Sequence, residues 1–234
     1  MNNDSTRGYP RIKNHGTFTT AAQLEEFLTS HNVSSGYPTD IMVGDIFTLQ
    51  VSDSLKYTVW IAGINTELNK GDVGLSTRHI TCIANLGTSK MNSTDTTTGG
   101  YAGATVMQSF LDTKATELRN ICGSHLLQRR VLLTNSVANG KSIGFAWYDK
   151  YLTLMSETQV YGGVQFGNGF DTSDGYEKLP IFNTLTPVQL FGRTTIWLRG
   201  IYSSAHFCHT VSSGYPCYYT ASGSFAAVAL FVLG

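Results

Sequence analysis

The chain has 234 residues; 41% are apolar and only 14% charged, against about 25% charged in an average globular domain. Such a chain can bury one sizeable core and is not disordered. Lys plus Arg equals Asp plus Glu at 16 each, so no basic excess marks nucleic acid or an anionic membrane as a partner.

Met1–Gly16 reads as a polar arm broken by Gly8, Pro10 and Gly16, without the apolar stretch of a secretory signal. Thr20 then opens a helix. Gln23 three residues on completes a capping box, and Ala21, Leu24, Phe27 and Leu28 fall on one stripe. Asn32 stops it, and Ser34–Pro38 is a turn whose five residue types recur at Ser212–Pro216. Residues 45–51, 56–64 and 79–85 read as strands, the second alternating Tyr57, Val59 and Ile61 with Thr58, Trp60 and Ala62. A second helix is predicted over 102–121, capped by Gly123, and a short third one near Glu157. Residues 145–148 and 151–155 read as short strands, and 162–176 as a Gly-rich irregular stretch. Strands at 194–198, 205–211, 217–221 and 227–233 finish the chain. The longest apolar run, Phe225–Leu233, is too short to cross a bilayer as a helix. The element pattern predicts an α+β fold with an antiparallel sheet.

The most unusual segment is Ile201–Ser224, made almost entirely of Ser, Tyr, His, Thr, Cys, Gly and Ala between two apolar strands. Tyr gives large rigid contact area at low entropy cost, and Ser and Gly adapt around it, as in evolved binding surfaces. Few acids or bases lie there, so the tract points to recognition rather than turnover.

An ordered series of short motifs carries a resemblance over Asp45 to the end: Trp60-Ile61-Ala62-Gly63, Lys70-Gly71-Asp72, Gly99-Gly100-Tyr101, Ala146-Trp147-Tyr148-Asp149, Leu154-Met155-Ser156-Glu157 and Ile196-Trp197-Leu198-Arg199. The chain resembles tail or receptor-binding proteins of gut-bacterial phages and prophages. Their C-terminal part is similar to the C-type-lectin-like, formylglycine-generating-enzyme-like fold, and such ends occur in the variable proteins of diversity-generating retroelements. The resemblance implies an N-terminal arm and helix (1–40) for attachment or oligomerisation. It also implies a lectin-like receptor-binding domain (41–234) with two main helices and short, mostly antiparallel strands. It further implies a virion location, contacts with other virion or tail proteins through the arm, and a homotrimer. The ligand would be a bacterial cell-surface glycan or protein. The positions that look like the family's exposed, changeable surface are Tyr202, Ser203, Ser204, His206, His209, Ser212, Ser213, Tyr215, Tyr218 and Tyr219.

Competing chemistries are weaker. His206 and His209 lie three apart on a strand, so they face opposite ways and chelate poorly together. Calcium signatures of true C-type lectins are absent, and no cofactor or metal is expected. Cys208 and Cys217 could face each other across a hairpin, but neither has a basic neighbour to activate it. Asp149, Glu157, Asp171, Asp174 and Glu177 could supply a carboxylate pair for glycan cleavage. Trp60, Trp147 and Trp197 read as core. The expectation is a non-enzymatic receptor-binding protein, with a structural virion component as the alternative and a glycan depolymerase behind both.

Overall fold

A computed structural model describes residues 12–167 and 177–234. The expected α+β, lectin-like class is overturned. Among the described residues twelve strands form, ten of them in one mixed sheet, and only about 22% of the molecule is helix. Two long stretches account for the difference. Asn14–Phe18, expected in the arm, is strand β1. Arg129–Ala138 and Lys141–Lys150 form one long hairpin, β6–β7, instead of short separate strands. Its turn is Asn139-Gly140, both at positive φ (51° and 73°), the dipeptide that two-residue hairpins favour.

The large sheet runs β1, β2 (Ile46–Gln50), β3 (Lys56–Ile64), β4 (Ile80–Ser89), β12 (Phe225–Leu233), β9 (Ile196–Ile201), β10 (His206–Thr210), β11 (Pro216–Thr220). Most neighbours are antiparallel; β1–β2 and β12–β9 are parallel. Two short strands, β5 (Leu126–Leu127) and β8 (Thr153–Leu154), pair with β12 further along its free edge.

Both faces of the sheet are covered. Ala227, Ala229, Phe231 and Leu233 of β12 join a core with α1 (Ala21–Ser30) and α2 (Thr105–Cys122). Ala226, Val228 and Leu230 enter a second core, with Val160 of α3 (Glu157–Tyr161) and Leu190 of α4 (Pro187–Phe191). The period-2 alternation of a strand thus divides one apolar run between two cores.

Residues 12–40 are built into the same body. Asp45, nearly buried, accepts hydrogen bonds from the Lys13 and Met42 amides at 2.9 Å and lies 3.0 Å from His15 Nε2, which pins β1 beside β2. Helix α1 starts at Thr20, whose side chain accepts from the Gln23 amide. The reciprocal bond of the expected capping box is made one residue earlier: the Gln23 side chain accepts from the Thr19 amide at 2.8 Å.

A buried ion pair links the connection after β3 to the centre of the sheet. Arg129 bonds Glu67 at 3.1 Å, the Thr153 hydroxyl and the Leu230 carbonyl, and both charged side chains are 2% exposed. Removing one partner would leave a buried charge uncompensated, so Arg129→Ala is expected to lower stability by about 3–5 kcal/mol. Urea unfolding of the two proteins checks this, and a loss under about 1 kcal/mol would show that Glu67 finds another partner or reaches water.

Candidate binding surface on the last hairpin

Strand β11 is the last strand of the sheet, and β10–β11 is its outermost hairpin. The register sets Cys208 opposite Tyr218 and Phe207 opposite Tyr219. Directly opposed residues share a face. His206, Cys208 and Tyr218 therefore lie on one face, and Phe207, His209, Cys217 and Tyr219 on the other. This alternation separates the ten expected surface residues into three groups.

The first group is an aromatic platform. Tyr202 follows β9 and stacks on Tyr218 of β11, with ring centres 3.6 Å apart and planes at 15°. His206 stands edge-on to Tyr218 at 5.7 Å and 89°. Ser203 fixes that histidine, its hydroxyl lying 2.7 Å from Nδ1. The turn is held from below: Thr97 bonds the Ser203 carbonyl through its hydroxyl and the Ser204 carbonyl through its amide, both at 2.9 Å. Gly140 at the tip of β6–β7 sits against the Ser203–Ser204 backbone, so close that an added Cβ would lie 3.3 Å from the Ser204 nitrogen. Tyr202 is 41% exposed and Ser204 is exposed. The hydroxyl of Tyr218 is pushed above its ordinary range, chiefly by hydrogen bonding and charge interaction with Tyr202.

The second group lies at the other end of the hairpin. Ser212, Ser213 and Tyr215 occupy the exposed β10–β11 turn, Tyr215 at 71%. Ser213 and Tyr215 border a groove of about 490 Å³ lined by Val160, Phe182, Leu185 and Pro187. The Tyr161 hydroxyl donates to the Gly214 carbonyl at 3.1 Å and anchors this turn.

The third group is on the opposite face. Tyr219 is half exposed, but His209, expected at the surface, is buried at 4%. Its ring packs among Trp197 at 6.0 Å, Phe225 at 5.1 Å and Tyr219 at 6.2 Å. The sheet is covered on both sides at this point, so the outward-facing reading of every second residue fails along β10: Phe207, Cys208, His209 and Thr210 are all buried.

Phe166 is the residue that the sequence reading missed. It stands edge-on to Tyr218 at 5.3 Å and to Tyr202 at 6.2 Å, and completes the platform from outside the C-terminal tract. Its position is set by Glu157, a buried carboxylate that accepts from the amides of Gln165 (3.2 Å), Phe166 (3.1 Å) and Gly167 (2.7 Å). A Glu at the first position of α3, with a capping box Ser156/Gln159, was the available signal.

The other chemical candidates are placed apart. Cys208 and Cys217 lie on opposite faces, and neither is disulfide-bonded. His206 and His209 also face opposite ways, as their spacing predicts. Among the described residues no group of three or more His, Cys, Asp or Glu converges as a metal site would. Asp149 is exposed on β7 and pairs with Arg130 at 3.3 Å. Glu177 is exposed, and Asp171 and Asp174 lie outside the described residues. Trp197 is fully buried; Trp60 and Trp147 are half-buried. The chain matches no protein-family model, no curated protein and no solved structure.

Two buried histidines give the fold a pH dependence. Burial holds His209 below the usual histidine range, and its Nδ1 has no hydrogen-bond partner within the protein. Burial likewise lowers His79, whose Nε2 lies 3.2 Å from the Glu67 amide and accepts from it, leaving Nδ1–H to donate to the Thr77 carbonyl at 2.8 Å. Both are neutral in the fold and take up protons more readily when unfolded. Their contribution to stability is full above the unfolded value of about 6.5 and is lost as pH falls through and below it. The urea midpoint is expected to drop between pH 7 and pH 5, and to drop less in His209→Phe. Equal drops in the two proteins would show that His209 is not kept neutral.

Proposed function

We propose that this protein is a receptor-binding component of a phage virion, a tail-fibre tip that adheres to the bacterial host surface and breaks no bond. The observation that carries the reading is the Tyr202–Tyr218 stack, with Tyr202 exposed and Tyr218 half-buried behind it, flanked by His206 and Phe166. Exposed aromatic rings leave apolar area in water unless a partner covers them, and rings already fixed in place lose little entropy on binding. Tyr and Trp are the residue types that dominate binding hot spots. The phage setting rests on the resemblance of the motif series, which also supports attachment to other virion proteins through the N-terminal segment and assembly as a homotrimer. Each contact is weak, and many copies on one particle add avidity.

The support beneath the platform suits this role. A surface that must meet a varied partner needs a backbone that does not move with it, and the buried side chains of β10 and the Thr97 bonds hold the Tyr202–His206 turn from behind. Ser204, Ser212, Ser213 and Tyr215 can change without disturbing a core contact, since all are exposed.

The test is adhesion of the purified chain to intact candidate host cells. The double variant Tyr202→Ala/Tyr218→Ala is expected to bind at least about tenfold less, in line with the loss of hot-spot aromatics. Tyr37→Ala serves as control, since Tyr37 is 85% exposed on the connection between α1 and β2. Equal binding by the parent and the double variant would move the receptor site elsewhere. No adhesion by any folded form would favour a structural virion component.

A further inference from the structure

The shape and charge of the platform narrow its ligand. Tyr202 and Tyr218 are in direct face-to-face contact at 3.6 Å, so nothing fits between them. Phe166 and His206 stand edge-on to Tyr202 at 84° and 82°, with ring centres 6.2 and 6.3 Å away. The exposed ring of the stack is Tyr202, backed by half-buried Tyr218, and this is not a cage of separated rings such as surrounds a quaternary ammonium ion. The cation–ring contacts of the described residues fall elsewhere, Lys114 over Tyr57 and Phe110 and Arg119 over Tyr151. Near His206 lies Asp95, an exposed carboxylate that accepts the Ser222 amide at 3.0 Å and feels the charge of that histidine. An anionic ligand would meet the field of that carboxylate. Hydrogen-bonding groups beside the rings are the Ser203–His206 pair and exposed Ser204.

We propose that the platform takes a neutral saccharide, with one sugar ring laid on the exposed Tyr202 ring that Tyr218 backs, Phe166 as a fixed wall, and Glu157 as the positioning residue that sets that wall. The proposal rests on the adhesion reading above and names the class of ligand for it. A pyranose has a flat C–H face that behaves as apolar surface and a periphery of hydroxyls, which suits an exposed aromatic ring with hydroxyl and imidazole groups beside it. The wall does not belong to the Tyr- and Ser-rich tract. It comes from the loop after α3, where three consecutive amides converge on one buried carboxylate. Glu157→Gln changes few atoms but replaces an acceptor oxygen by an N–H donor facing other donors. The amides lose partners and the loop is released, while the sheet keeps its contacts.

A printed array of neutral and charged bacterial glycans tests the proposal, run beside adhesion to cells. The parent is expected to bind neutral glycans only. Phe166→Ala is expected to weaken binding about tenfold or to change which neutral glycans are held. Glu157→Gln is expected to match Phe166→Ala, with the double variant no worse than either, and to speed hydrogen exchange at the amides of 165–167. Free choline is expected not to compete. Binding to charged glycans, competition by choline, or full binding by both single variants would overturn the proposal. So would a silent array while the parent still adheres to cells, since adhesion would then be directed at protein. A silent array without adhesion would remove the proposal together with the adhesion reading. Should Glu157→Gln fail to fold, Phe166→Ala carries the test of the wall alone.

Discussion

The fold depends on the burial of β12 on every side. Its nine residues, Phe225–Leu233, face two cores in alternation, and both edges are hydrogen-bonded. One edge is taken by β4 along nearly the whole strand, and the other is shared in series by β9, β8 and β5. A strand that is apolar on both faces is stable only where both are covered. Strand β9 pairs with β12 through Ala226 and Ile196 at the start of the latter, so β9, β10 and β11 continue the sheet from one end of β12. The central strand therefore fixes where the outer hairpin lies, and with it the platform.

That arrangement leaves β11 as an open edge. Exposed edges invite pairing with other chains, and proteins blunt them with proline, bulky side chains or charge. Pro216 opens β11 and has no amide hydrogen to offer at that position. Tyr218 and Tyr219 crowd its two faces with rings. The aromatic content of the tract thus serves the edge as well as the proposed ligand site, and the two demands agree: rings that keep β-strands away remain available to a partner of another shape.

Local patterns were the legible part of the chain. Strand β3 was found with its ends, because Tyr57, Val59 and Ile61 fall at every second position and are buried while Thr58 is exposed and Trp60 half-buried. The α1 cap and the C-terminal strands were visible for the same kind of reason. Segments held by distant partners were not. Asn14–Phe18 has no alternation to mark it and becomes a strand because Asp45, some thirty residues on, binds the backbone and the histidine on either side of Asn14. The β6–β7 hairpin had a readable turn in Asn139-Gly140, yet its strands mix exposed apolar residues such as Ile143 and Phe145 with buried Ser142 and so hide the period. The fold class failed through these losses, since each missed strand shifted the balance from helix toward sheet.

The site was legible to the same limit. Tyr202, His206 and Tyr218 come together because strand register brings them together, and register follows from a hairpin that the sequence shows. His209 obeys the same register and turns inward, because burial depends on what covers the second face, and Trp197 and Phe225 come from other strands. Phe166 required still more: an acid that reads by residue type as a catalytic candidate acts here as an anchor, its oxygens taken up by three backbone donors. A carboxylate's role is set by what fills its acceptor sites, and a buried one surrounded by amides shapes a loop. The C-terminal tract supplies the Tyr202–Tyr218 stack, and the Phe166 ring beside it comes from an element that the composition of the tract could not reveal.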